Sequence, residues 1–223
     1  KKKKRTMSFC DQQKEAHAEQ WSRITGHRFC KELASGTLPL SNLRKYLLND
    51  HLFLDAFVVL LSTMVSRCRS LSDCLPGCQF LGLVTSDENT YFLDTYKFLG
   101  VTEEERSGYA MEPVARDFVA IMREAAATGS LSCCLAVLVV CEWSYLEWGT
   151  AAQRDTKVKD SPHFQGWIDL HSGKYFESVV AYLKGLLDKE AGLVGEKELG
   201  KAREFFSRAV QLEEDFFDMA MNC

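Results

Sequence analysis

Basic side chains are not in excess in this chain. Its 27 Lys and Arg are outnumbered by 31 Asp and Glu, a net charge of -4, whereas nucleic-acid binding needs clustered cations to neutralise phosphate. No continuous apolar run approaches the ~20 residues of a membrane span, and the sequence opens on lysines where a signal peptide carries an apolar stretch. A soluble, intracellular, cytoplasmic protein is expected, with neither nucleic acid nor membrane as partner. Proline is scarce: of Pro39, Pro76, Pro113 and Pro162, three stand close to the start of a segment with helical periodicity, where the missing N–H is tolerated. Sustained period-two alternation is missing too, so strands are not expected.

Metal and disulfide signatures are equally thin. The nine cysteines lack framework spacing, and neither Cys74 with Cys78 nor Cys133 with Cys134 makes a CxxC knuckle, so they read as reduced thiols serving mostly as small hydrophobes. None of the five histidines lies three residues after a glutamate, which excludes the Glu-x-x-His pattern of di-metal helical bundles. His17 and His27 are the candidates for an axial haem ligand, but neither has a distinctive context. No metal or cofactor is expected.

What is present is helical periodicity. At 223 residues and 46% hydrophobic composition the chain can bury a core as a single domain, and an all-α bundle over residues 8–223 is expected. The basic block Lys1–Arg5 suggests a disordered extension over 1–7. Gly36, Gly100, Gly129 and the interval from Gly149 to Gly195 are expected to mark breaks. In the second predicted helix Ser41 is the expected cap, and Leu43, Tyr46, Leu47, Asp50, Leu54, Phe57, Val58 and Leu61 follow at three- and four-residue steps. Leu135 to Cys141 is apolar nearly all round, as in a helix crossing the core, and Glu142, Trp143 and Tyr145 follow. The last helix aligns Leu199, Ala202, Phe206, Val210, Glu213, Phe216 or Phe217, and Ala220 on one face. Glu88 groups with Val84, Tyr91 and Phe92 in the same way.

Asp50, Glu142 and Glu213 thus stand where three helices should present hydrocarbon, with Glu88 as a fourth. One such acid reads as a core cap or an arginine partner. Several on converging faces point to a shared, solvent-shielded pocket that does chemistry or holds a polar ligand. Cys141 reads either as core or as a nucleophile beside Glu142. Phe53, Phe118, Tyr145 and Phe216 read as packing, and equally as surfaces for a flat heteroaromatic ring.

Three segments in order, Lys45–Leu54 (KYLLNDHLFL), Cys141–Gly149 (CEWSYLEWG) and Leu212–Phe217 (LEEDFF), resemble the thiaminase II (TenA) family over most of the chain from about Ser8. The resemblance implies a haem-oxygenase-like helical bundle that uses no haem, a homo-oligomer (dimer or tetramer), and an aminopyrimidine aminohydrolase of thiamin salvage. The implied reaction hydrolyses 4-amino-5-aminomethyl-2-methylpyrimidine, or its N-formyl form, to the hydroxymethyl or aminomethyl pyrimidine. It makes Asp50 the carboxylate on the ring nitrogen and 4-amino group, and Glu213 the acid near the leaving group. Phe53 and Phe118 stand where many members have tyrosines, His171 where another tyrosine often lies, and Tyr145 matches. One branch of the family uses a cysteine four residues before that tyrosine and another a glutamate three residues before it. This chain carries both, Cys141 and Glu142, and its surroundings look more like the glutamate branch. The expected site therefore has Glu142, Glu213 and Cys141 as catalytic groups and Asp50, Phe53, Glu88, Phe118, Tyr145, His171 and Phe216 around the substrate. A non-catalytic pyrimidine binder, or a cofactor-free oxidase-like relative, is the competing expectation.

Overall fold

The computed structural model describes residues 7–222, and the Lys1–Arg5 block and most of the expected 1–7 extension lie outside that range. Three short helices, α1 (Phe9–Ala16), α2 (Ala18–Thr25) and α3 (Arg28–Ser35), precede the long α4 (Leu40–Arg67). Then come α5 (Leu71–Leu83), a π-helical turn (Val84–Glu88) and α6 (Asn89–Leu99). The chain continues through α7 (Glu103–Gly108), α8 (Pro113–Ala127), α9 (Leu131–Asp155), α10 (Pro162–Leu170), α11 (Gly173–Ala191) and α12 (Glu196–Met221). No strand occurs among the described residues.

Local chemistry accounts for many of the ends. Ser8, Ser70, Thr102 and Ser130 cap helices by accepting a bond from the backbone N–H three residues on, which satisfies one of the four orphaned donors of a first turn. Pro113 and Pro162 open α8 and α10, and Pro39 is the N-cap of α4. Ser41 is therefore not the cap expected of it; it sits inside the first turn, because Pro39 already fixes the entry. That helix is also the fourth in the chain, not the second, since α1 to α3 are separate short elements. Gly36, Gly100 and Gly129 do end helices, each at positive φ (75°, 68° and 64°), where a side chain would be strained.

The centre of the bundle is α9, from Leu131 through Tyr145 buried on every side and packed against α3, α4, α8, α10, α11 and α12. Contrary to the expectation from apolar runs, α4 and α9 do reach the length and mean hydropathy (1.4) of a membrane span. Their windows are 44% and 89% buried inside the bundle, so packing against other helices accounts for the apolar composition, and Asp50 and Glu142 interrupt it.

Gly149 does not break a helix either. It lies inside α9, where a Cβ would fall on the carbonyl oxygen of His171 and within 2.9 Å of its carbon. The missing side chain lets the α10 C-terminus pack backbone to backbone against α9, and this contact sets where His171 stands. Gly149→Ala should therefore cost on the order of 2–3 kcal/mol in chemical denaturation. Gly185→Ala on the exposed side of α11, where a Cβ meets nothing within 4 Å, should be neutral or stabilising by up to about 1 kcal/mol.

Candidate active site

The ten residues of the expected aminopyrimidine site lie on one cavity. Asp50 and Phe53 come from α4, Glu88 from the π-helical turn, Phe118 from α8, Cys141, Glu142 and Tyr145 from α9, His171 from the end of α10, and Glu213 and Phe216 from α12. Leu54, Phe57, Phe80, Leu83, Trp167, Leu170 and Phe176 complete the lining; the sequence reading missed these as site residues because apolar positions on a buried stripe look alike whether they face a neighbour or a void. His17 and His27 lie elsewhere. His17 bonds the Gln13 carbonyl oxygen (2.8 Å), and His27 accepts from the Phe29 N–H through Nδ1 while Nε2 faces Asp218 at 3.2 Å.

The walls divide by chemistry. Phe53 stacks on Phe118 (centroids 5.6 Å), and Phe216 meets both edge-on at 5.6 and 5.8 Å, giving an aromatic wall suited to a planar ring. Opposite in character are the four acids. Asp50, Glu142 and Glu213 are buried, at 4%, 8% and 3% exposure, and Glu88 is half-buried. No Lys or Arg is among the lining residues. Asp50, Glu88 and Glu142 make no hydrogen bond to any described residue, and their oxygens are not sealed within protein; they open on the cavity. Glu213 stands beside the Cys141 thiol, and each influences the ionisation of the other.

Burial without a counter-cation raises all four. Desolvation pushes the Glu88 carboxyl up to about 7 and that of Glu213 up to about 8, against the lowering effect of the Cys141 thiol. Asp50 and Glu142 are lifted well above the carboxylate range, first by burial and then by neighbouring negative charge, that of Glu88 foremost in both cases. The cluster titrates as a unit and holds fewer than four charges at neutral pH. Burial likewise raises the Cys141 thiol well above its usual value, with Glu213 and Glu142 adding to the effect, so the resting group is a thiol.

Tyr145 and His171 are held from behind. The Tyr145 hydroxyl is 2.5 Å from that of the fully buried Tyr46. Tyr46 gave only a stripe signal in the sequence, since its partner lies 99 positions away. Burial lowers His171 to about 4. The neutral ring donates from Nδ1 to the Trp167 carbonyl oxygen at 2.8 Å, which leaves Nε2 as an acceptor.

A stability consequence follows from the raised acids. Glu213 binds its proton more tightly folded (about 8) than at its ordinary 4.5, and Glu88 does so at about 7. The folded protein therefore holds more protons between those values, and stability falls as pH rises through them, by up to about 1.4 kcal/mol per pH unit per group. Between pH 6.5 and 8, above the titration of His171, melting of the ligand-free protein should shift downward with pH; Glu213→Gln should flatten the slope, and an unchanged slope would contradict the shift.

Comparison with known proteins agrees with this architecture. The chain is 28% identical over 218 residues to an aminopyrimidine aminohydrolase of Halalkalibacterium halodurans, covering 97% of this chain and 96% of that one. It is 25% identical over 214 residues to the Bacillus subtilis protein of the same name, covering 96% and 90%. A TenA homologue from Pyrococcus furiosus superimposes with a TM-score of 0.84 at 22% identity, over 95% of this chain and 99% of that one. A Silicibacter protein described as a TenA family transcription regulator gives 0.84 at 22%, over 95% and 96%. The fold is thus the all-α, haem-oxygenase-like bundle of the TenA structures. With residues 14–223 matched by the profile of the TENA/THI-4/PQQC family, the chain belongs to that family.

Proposed function

We propose that the protein is an aminopyrimidine aminohydrolase of thiamin salvage, hydrolysing 4-amino-5-aminomethyl-2-methylpyrimidine, or its N-formyl form, to the hydroxymethyl or aminomethyl pyrimidine. The observation that carries this reading is a set of acids from four separate elements converging, unpaired by any cation, beside an aromatic wall. Relatives named aminopyrimidine aminohydrolase, matched over nearly the whole chain, support it. An oxidase gripping a polyacid is disfavoured by a lining with one histidine and no arginine.

The raised Asp50 carboxyl suits the amidine edge of a 4-aminopyrimidine. As a neutral acid it donates from its O–H to the ring nitrogen and accepts from the 4-amino group, forming paired hydrogen bonds. The ring then lies along Phe53, Phe118 and Phe216. An unprotonated amine is a poor leaving group, and Glu213, raised to about 8, is an acid that keeps its proton at neutral pH and delivers it to the departing nitrogen. The attacking water loses its proton to a carboxylate of the cluster. In the version we favour this base is Glu142, and water takes the place of the amine at the exocyclic carbon. The other version uses Cys141, whose thiol would first give its proton to Glu213 before sulfur adds to the ring. The raised thiol and the cluster around it favour the glutamate version. The subunits are expected to assemble as a homo-oligomer.

Ammonia release from the aminomethyl pyrimidine tests the reading against that of a binder without turnover. Glu142→Gln should lower kcat by 10²-fold or more while Cys141→Ser retains turnover; the reverse result would establish the thiol route. Asp50→Asn, which exchanges the O–H donor for an amide, should raise KM about tenfold or more.

A further inference from the structure

Glu88 is the one cavity acid that a regular helix would not deliver in its present orientation. It closes a π-helical turn, Val84–Glu88, between α5 and α6, and the backbone stays right-handed helical at both junctions, so residues 71–99 form one helix with a local insertion. Such turns place an extra residue in the helical circuit and re-aim the side chains beside it. The turn is pinned on both sides. Thr85 and Ser86 return their hydroxyls to the Leu81 and Gly82 carbonyl oxygens at 2.9 and 2.7 Å. On the far side the Asn89 side chain meets His51 Nε2 at 3.2 Å, while the His51 ring stacks on Phe92 at 4.6 Å. No described residue pairs with the Glu88 carboxyl, and it supplies the leading charge felt by both Asp50 and Glu142.

Asp50 and Glu213 suffice for the ring edge and the leaving group, and Glu142 for water. Glu88 adds negative charge to a cavity with no Lys or Arg among its described lining residues. The group that complements it is a cation. An N-acyl substituent brings no positive charge, and its amide nitrogen takes up no proton, so it gains nothing from the Glu88 carboxylate. We infer that Glu88 is the specificity-determining residue: its carboxylate stabilises the ammonium formed as the free aminomethyl substituent takes up the Glu213 proton, so that the site selects this substituent over its neutral N-acylated counterpart, an inference that rests on the aminopyrimidine reading above.

The test compares kcat/KM for the 5-aminomethyl and 5-formylaminomethyl pyrimidines in the wild type, Glu88→Gln and Glu88→Asp, with the Kd of the aminomethyl compound measured by calorimetry in parallel. The wild type should favour the free amine. Glu88→Gln should cut kcat/KM for it by about 10- to 100-fold and raise its Kd, while changing the formyl substrate less than threefold; Glu88→Asp, which keeps the charge, should retain the preference. A wild type that favours the formyl compound, or a Glu88→Gln protein that loses both substrates equally or neither, would overturn the inference and leave the hydrolase reading standing. A wild type that binds the amine without releasing ammonia would end the hydrolase reading, and the Kd ratio between wild type and Glu88→Gln would then decide the role of Glu88 alone.

Discussion

The constraint on which the rest of this structure turns is the burial of negative groups without a cation. Elsewhere the protein neutralises a buried acid in the ordinary way: Glu190, 3% exposed, is met by Arg69 through two bonds of 2.6 and 2.9 Å. Among the described residues lining the cavity there is no such partner. Folding must leave Asp50, Glu142 and Glu213 partly protonated and unpaired, a cost that a uniformly apolar interior would avoid. Burial among the aromatic wall and α9 raises the acids above the ordinary carboxylate range, and groups perturbed in this way are suited to giving and taking protons.

The fold was legible in the sequence because its elements obey local rules. Gly36, Gly100 and Gly129 end helices, Pro113 and Pro162 begin them, and the heptad-like spacing of α4 and α12 places their core faces. The same spacing exposed the acids, since a carboxylate on an apolar stripe is conspicuous against Leu and Phe. Less was legible where the decisive contact is distant in sequence. Gly149 looked like punctuation because its reason for being glycine is the His171 backbone, which no local pattern reveals. Ser41 looked like a cap because serine usually is one. Trp167 and Phe176 carried no sign that they face a void, and Tyr46 none that its hydroxyl supports Tyr145.

The composition of α9 combines two demands. From Leu131 to Val140 it is a core helix, within an element long and apolar enough to pass for a membrane segment. Over the next turn it becomes the floor of the site, with Cys141, Glu142 and Tyr145 turned toward the cavity. A thiol beside two carboxylates has its ionisation opposed by the same burial that raises those acids. The aromatic wall is built from Phe53, Phe118 and Phe216, and this leaves hydrogen bonding in the cavity chiefly to the acids, Tyr145 and His171.

The π-helical turn ties the length of a helix to the chemistry of a cleft. Each residue advances an α-helix by about 100°, so removing any one position between 84 and 88 would restore regular winding and swing Glu88 away without altering a single remaining side chain. At this point in the chain the reach of a carboxyl into the cavity is set by a residue count as much as by residue identity, and single-residue indels would act there as chemical substitutions.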